Sequence, residues 1–273
     1  MDSTELAVTL HEKLHAMKPF SSAALRAMKE LDSKTPSVEK VAEHIAQDVS
    51  LTVLALKIAN SSFYGFYREV SNLKEVVMIL GLSTLRNIII TASLMKGLAV
   101  GPNEDIRTRI WRHSLMVACI CRYIAAHINE DTDQFYLNAF LHDLGHLVLN
   151  EVYPVKLAAI LDHEDPASMR EQLVDGLSNV EVAVMACKVW ALPTDIEQHI
   201  FDVRKPRLAN NRYKHSIVVA HTLATGLGYC ITRHDLVSET IQHNLDALNI
   251  PAEDLEKILI DSIRDYQSIE QVI

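Results

Sequence analysis

Glycine and proline are scarce, at 8 each in 273 residues. Turn-rich sandwiches and barrels need more of both, and few stretches alternate apolar with polar residues, so an all-β fold is excluded. Cysteine is also sparse. Cys119, Cys121, Cys187 and Cys230 form no C-x-x-C pair and all fall in apolar helical runs, which reads as buried, reduced thiols of a cytosolic protein. Lys and Arg number 26 against 35 Asp and Glu, for a formal charge of −9. Without a basic cluster, a nucleic-acid backbone is not expected as the main partner, a local basic patch aside. The opening Met1-Asp2-Ser3-Thr4-Glu5 has neither the basic nor the apolar region of a secretory signal. No unbroken apolar run reaches the ~20 residues of a membrane span. The richest stretch, Val76 to Met95, is interrupted by Gly81, Ser83, Arg86 and Asn87. The expectation is a cytoplasmic chain with no membrane partner.

What is present is apolar mass, 49% of the residues and rich in Leu, Ala and Ile. It is patterned for an all-α protein with a sizeable core. Leu6 to Met17 reads as a helix ended before Pro19. Ser21 or Ser22 can cap the next, through Leu31. Thr35 followed by Pro36 makes a helix start, because proline loses nothing at the first helical position. Asp48 can cap a helix that Asn60 to Gly65 terminates, with Gly65 permitting a positive φ. Leu73 to Leu80 is stopped at Gly81, and Leu85 to Leu98 follows. Gly101-Pro102-Asn103 is the clearest break and divides the chain into subdomains at 1–100 and 101–273.

Beyond the break, Ile106, Ile110, His113, Val117, Ile120, Ile124 and Ile128 recur at spacings of three and four. His113 therefore belongs to a buried stripe. Phe135, Ala139, His142, His146 and Leu149 share one face of the next predicted helix. Histidines in two core stripes point to a polar site between helices. Val180 to Val189 and Ile196 to Phe201, with His199, are further helices, and Ile217 to Leu227 carries His221. The last 40 or so residues read as smaller helices, one started by Pro251.

These motifs in this order carry a resemblance. Ile58-Ala59-Asn60-Ser61-Ser62-Phe63-Tyr64-Gly65, Leu80-Gly81, Leu85-Arg86-Asn87, Trp111-Arg112-His113-Ser114, Phe140-Leu141-His142-Asp143-Leu144-Gly145, Gly176 and Trp190-Ala191-Leu192-Pro193 are similar to the HDOD family, the HD-related output domains, over roughly residues 14 to 225. The resemblance implies an all-α, multi-helical HD-like fold, with an N-terminal helical bundle packed on an HD-like helical subdomain. It also implies kinship with metal-dependent HD phosphohydrolases and a place in bacterial signalling.

An HD hydrolase needs a first His, an adjacent His-Asp pair and a later Asp to hold metal, activate water and clamp phosphate oxygens. By the resemblance His113 matches the first, and His142 with Asp143 the pair. His221 stands where the later Asp is usual. Asn179 stands where relatives often carry His, Asp202-Val203 follows His199 where a His-His pair often falls, and His146 replaces the lysine of the HD-x-G-K pattern. Replacing Asp by His221 removes a negative ligand, and Asn179 offers only a neutral oxygen. The resulting expectation is a degenerate site: a non-catalytic output module that binds a signalling protein partner or a nucleotide. The alternative is a metal-dependent phosphohydrolase acting on a nucleotide or cyclic dinucleotide. No cofactor is expected, with a single divalent cation (Mn, Fe, Zn or Ni) as the alternative. Its ligands would be His113, His142 and Asp143, supplemented by His146 and His221. His142 and His146 have the i, i+4 spacing of a helical chelate; otherwise the histidines bond one another, Asp143 or backbone.

Asn60, Ser61 and Ser62 either satisfy backbone groups at a helix end or line a ligand or partner groove between the subdomains, together with Arg86 and Asn87. The helices Val38–Gln47 and Val49–Ser61 mimic a helix-turn-helix, but the second has only Lys57 as a basic residue. A bare oligomerising scaffold is a third reading, and the oligomeric state is left open.

Overall fold

The protein is described by a computed structural model, which covers residues 3–61, 64–65, 68–162, 177–192, 194–203, 211–232 and 241–271. Among these residues regular structure is helical and no strand occurs, so the fold is all-α. The chain divides into two units. One comprises Lys18–Ala99 and Ile263–Ile273, the other Met1–Met17 and Val100–Ser262. The break at Gly101-Pro102-Asn103 lies beside a unit boundary, but both ends of the chain are exchanged relative to a simple 1–100 and 101–273 division. The first helix and residues 263–271 cluster with residues distant in sequence, which helical periodicity does not reveal.

The first unit contains α2 (Ser22–Leu31), α3 (Val38–Ala46), α4 (Val49–Ala59) and α5 (Leu73–Gly97). Ser21 caps α2 by accepting from the Ala24 amide at 3.2 Å. Ser37, not Thr35, caps α3, accepting from the Lys40 amide at 3.3 Å. Pro36 thus precedes the cap, and α3 starts two residues later than the Thr35-Pro36 signal suggests. Asp48 caps α4, accepting from the Leu51 amide at 3.0 Å, and pairs with Lys96 of α5 at 2.7 Å. Val41 and Ile45 of α3 and Leu51, Ala55 and Ile58 of α4 are buried at helical spacings, whereas Val53 is exposed. Asn60 ends α4. Its amide nitrogen donates to the Leu56 and Val70 carbonyls at 2.9 and 2.8 Å, and its oxygen accepts from the Val70 amide at 2.7 Å. Gly65 has φ +64° and Gly81 has φ +86°, left-handed backbone that favours glycine. Gly81 is the expected stop, yet helix resumes at once, so α5 is one kinked element. By length and composition α5 could cross a membrane, although 61% of its most apolar window is buried inside protein.

The second unit contains α1 (Ser3–Met17), α6 (Glu104–His127), α7 (Thr132–Phe140), α8 (Leu144–Val152), α9 (Pro154–Leu161), α10 (Asn179–Val189), α11 (Thr194–Val203), α12 (Arg212–Gly226) and α13 (Gln242–Leu248). α14 (Ala252–Glu270) opens directly after Pro251, as expected, but is longer than the smaller helices read there, and the unit boundary falls inside it, after Ser262. α6 is the central element and packs on α7, α8 and α12, while α10 packs on α8, α11 and α1. The Trp190 indole donates to the Leu14 carbonyl at 3.1 Å, tying α1 to the end of α10. The Gly101-Pro102-Asn103 segment is pinned within this unit: Asn150 donates to the Pro102 carbonyl at 2.8 Å and Arg107 to the Gly101 carbonyl at 3.0 Å. Cys119, Cys121 and Cys187 are buried thiols in helices. Cys230 departs from expectation, lying half-buried beyond the end of α12.

Asp48 supplies a direct test. Burial pushes its carboxyl up, but hydrogen bonds from Lys96, the Leu51 amide and Ser21 outweigh this and hold it below its ordinary value. A carboxyl depressed in the folded state stabilises the fold above its unfolded pKa of about 3.9, and that contribution disappears as pH falls through the lower folded value. Asp48→Ala should cost about 1 kcal/mol at neutral pH in urea denaturation. Asp48→Asn keeps a capping oxygen and loses only the charge, so its deficit should shrink as the pH is lowered below about 4.

Candidate functional site

The central helix α6 delivers His113 into the interior with no exposed surface. Its Nδ1 lies 2.7 Å from the Tyr229 carbonyl oxygen. A carbonyl cannot donate, so Nδ1 carries a proton and the other ring nitrogen, Nε2, is turned to the interior. His142 repeats the arrangement, with Nδ1 2.6 Å from the Ala139 carbonyl. Both Nε2 atoms face one buried carboxylate. His142 Nε2 is 2.9 Å and His113 Nε2 is 3.6 Å from Asp143 Oδ2. From α12, His221 places Nδ1 3.0 Å from His113 Nε2. Ring nitrogens of His113, His142 and His221 all lie within 4.8 Å of one another.

The local chain path explains how the His-Asp pair enters. α7 ends at Phe140 and α8 begins at Leu144, so residues 141–143 form a turn. The sequence pattern made Phe135 through Leu149 a single helical face, and the structure corrects this. His142 and His146 are not on one helix and form no i, i+4 chelate. His146 turns to Asp143 Oδ1 at 3.2 Å. Asn179 Nδ2 approaches the same oxygen at 3.4 Å. Asp143 is therefore split in function: Oδ1 accepts from His146 and Asn179, and Oδ2 faces the histidine nitrogens. Burial raises the Asp143 carboxyl, yet the His142 charge and the hydrogen bonds from His142 and His146 hold it well below its ordinary value.

Gly145 in the first turn of α8 makes this packing possible. A Cβ there would stand 1.7 Å from the Asn179 carbonyl oxygen, so no other residue lets α10 approach so closely. Asn179 opens α10 behind a capping box formed by Ser178 and Glu181.

The donor set fits a borderline divalent cation. Three imidazoles and one carboxylate oxygen are ligands of zinc, iron or nickel type. A metal-binding histidine typically donates its other ring N–H to a carbonyl, as His113 and His142 do here. One carboxylate oxygen and three neutral rings make a mononuclear set. A bridging role for Asp143 between two ions would need Oδ1, which is taken.

The other sequence candidates are placed elsewhere. Asn60 is occupied by its own helix end and Val70. Ser61 donates to the Ile58 carbonyl at 2.6 Å. Arg86 pairs with Asp32, and Asn87 is buried in α5. A cleft of about 650 Å³ in the first unit does include Asn60 and Ser61, with Val53, Lys57 and Gln271 among its other walls. Ser62 and Gly176 lie outside the described residues. His199 faces the Tyr213 ring at 5.2 Å between centroids. Sequence reasoning missed the carbonyls of Ala139 and Tyr229, since a main-chain acceptor leaves no mark in residue identity.

Residues 17–206 match the HDOD domain family, so the chain belongs to that family. Solved structures share the fold. An HDOD domain protein of unknown function from Geobacter sulfurreducens superposes with TM-score 0.72 at 22% identity, covering 99% of both chains. A Shewanella amazonensis SB2B protein provisionally named a phosphohydrolase gives TM-score 0.71 at 21% identity, over 96% of this chain and 98% of the other. A Marinobacter aquaeolei VT8 protein provisionally named a signal transduction protein gives 0.63 at 20% identity, over 92% of this chain and 58% of the other. Uncharacterized curated relatives from Treponema pallidum (strain Nichols) and Bacillus subtilis (strain 168) are 22% and 24% identical, over 71% and 40% of this chain, which spans only 39% and 26% of their lengths.

Gly145→Ala separates packing from propensity. Alanine is the better helix former by about 1 kcal/mol. The clash with Asn179 should reverse the sign and destabilise the fold by about 3 kcal/mol, read from urea denaturation.

Proposed function

We propose that the chain is a non-catalytic output module of bacterial signalling that binds a protein partner or a nucleotide in the cytoplasm. In this reading its HD-derived centre serves as structure and holds at most one divalent cation. The observation that carries it is the division of Asp143. Two-metal phosphoester hydrolysis needs carboxylate oxygens for both ions, whereas Oδ1 here accepts from His146 and Asn179. Where the family pattern has a second carboxylate, His221 supplies a neutral ring, so a cation gains less charge compensation. HDOD membership and the name of the Marinobacter structure add support for a signalling role.

A second reading, a mononuclear metal-dependent phosphohydrolase, draws on the convergence of His113, His142 and His221 and on the name of the Shewanella structure. A bound cation would supply Lewis-acid polarisation of a phosphoryl oxygen and lower the pKa of water. The chain's own part would be to hold the rings in one tautomer through Tyr229 and Ala139, and to keep Asp143 ionised.

Elemental analysis after loading with manganese, iron, nickel or zinc, in a background in which the exposed α1 histidines are replaced (His11→Gln with His15→Gln), should find no more than one ion per chain, and none once His142→Ala is added. Phosphodiester and cyclic-dinucleotide substrates should remain intact with the loaded protein. Two ions per chain in that background, or hydrolysis abolished by His142→Ala, would overturn the non-catalytic reading.

A further inference from the structure

A second, separate set of histidines lies on the outside of α1. His11 and His15 are one helical turn apart, both exposed, and their Nε2 atoms are 3.1 Å apart. The rings meet edge to face with centroids 4.5 Å apart and planes at 82°. Metal–imidazole bonds of about 2.0–2.1 Å at angles between square and tetrahedral require nitrogens roughly 2.9–3.4 Å apart. The observed separation falls inside that span.

The helix that carries the pair is firmly held. Leu10 and Leu14 on its inner face have no exposed surface. The Leu14 carbonyl accepts from the Trp190 indole. Lys13, the nearest cationic side chain in sequence, is drawn to the inner side, donating to the Val152 carbonyl at 3.1 Å with its ammonium 5.1 Å from the Tyr153 ring centre. Its charge is therefore occupied away from the exposed rings. Paired imidazoles with solvent to complete the shell suit Cu²⁺ best, then Ni²⁺ and Zn²⁺, and do not suit Mg²⁺ or Ca²⁺.

We propose that His11 and His15 form a surface chelate for one borderline divalent transition-metal ion, distinct from the buried histidines around Asp143. The two sets are separable because an ion fixed to a resin reaches exposed rings only. The untagged full chain should be retained on immobilised Ni²⁺ near neutral pH and eluted by imidazole. His11→Gln and His15→Gln should each abolish that retention, while His243→Gln, an exposed histidine on α13, should leave it intact. In calorimetric titration with Ni²⁺, each pair variant should lose the surface-site isotherm or weaken it by about tenfold or more. Retention of the double variant equal to that of the unmodified chain would overturn the proposal. So would failure of the unmodified chain to be retained, which would leave His11 and His15 as an N–H···N hydrogen-bonded pair only.

Discussion

A carboxylate shut away from water must be compensated, and Asp143 sets that requirement for the whole second unit. Its side chain is 8% exposed. An isolated charge in such a place costs many kcal/mol, so the surrounding chain is arranged to answer it. Four elements contribute. The α7–α8 turn brings His142, α8 brings His146, α10 brings Asn179, and α6 aligns His113 on the far oxygen. Remove the carboxylate and three ring nitrogens converge on nothing; remove the rings and a buried anion is left unpaired. The helix packing and the polar centre are therefore one problem with one solution.

In the non-catalytic reading proposed above, the same arrangement sets the centre apart from an HD hydrolase. Chemistry at two ions requires carboxylates that bridge and compensate charge. By the resemblance, His221 takes one such position, and Asn179 and His146 meet Oδ1 of the remaining carboxylate. Both changes lower the charge offered to a cation while leaving the packing intact.

Much of the fold was legible in residue order. The caps at Ser21 and Asp48, the interruption at Gly81, the positive φ at Gly65 and the buried stripe of α6 all follow from local rules, and local rules act within one or two turns. The errors have a common cause. Thr35-Pro36 was read as a helix start because proline suits the first helical position, but the Ser37 hydroxyl was better placed to accept the first amide. Phe135 to Leu149 was read as one helical face because its spacing permits it, yet three residues form a turn there. Pro251 marks the start of α14, but no local signal shows that the helix runs on to Glu270.

For the site, the sequence alone determined which residues have metal-binding chemistry and, through a stripe of apolar spacing, that His113 lies inside. Motif order determined the family. Only the tertiary structure decided how the chemistry is distributed: that His221 joins His113 and His142, that His146 caps Asp143 instead of chelating beside His142, and that the Tyr229 and Ala139 carbonyls fix the tautomers. The physical reason is range. Helical periodicity assigns a side chain to a face, but the meeting of residues 113, 142 and 221 depends on the angles at which three helices cross. Those angles are set by close approaches such as Gly145 against Asn179, which no local pattern encodes.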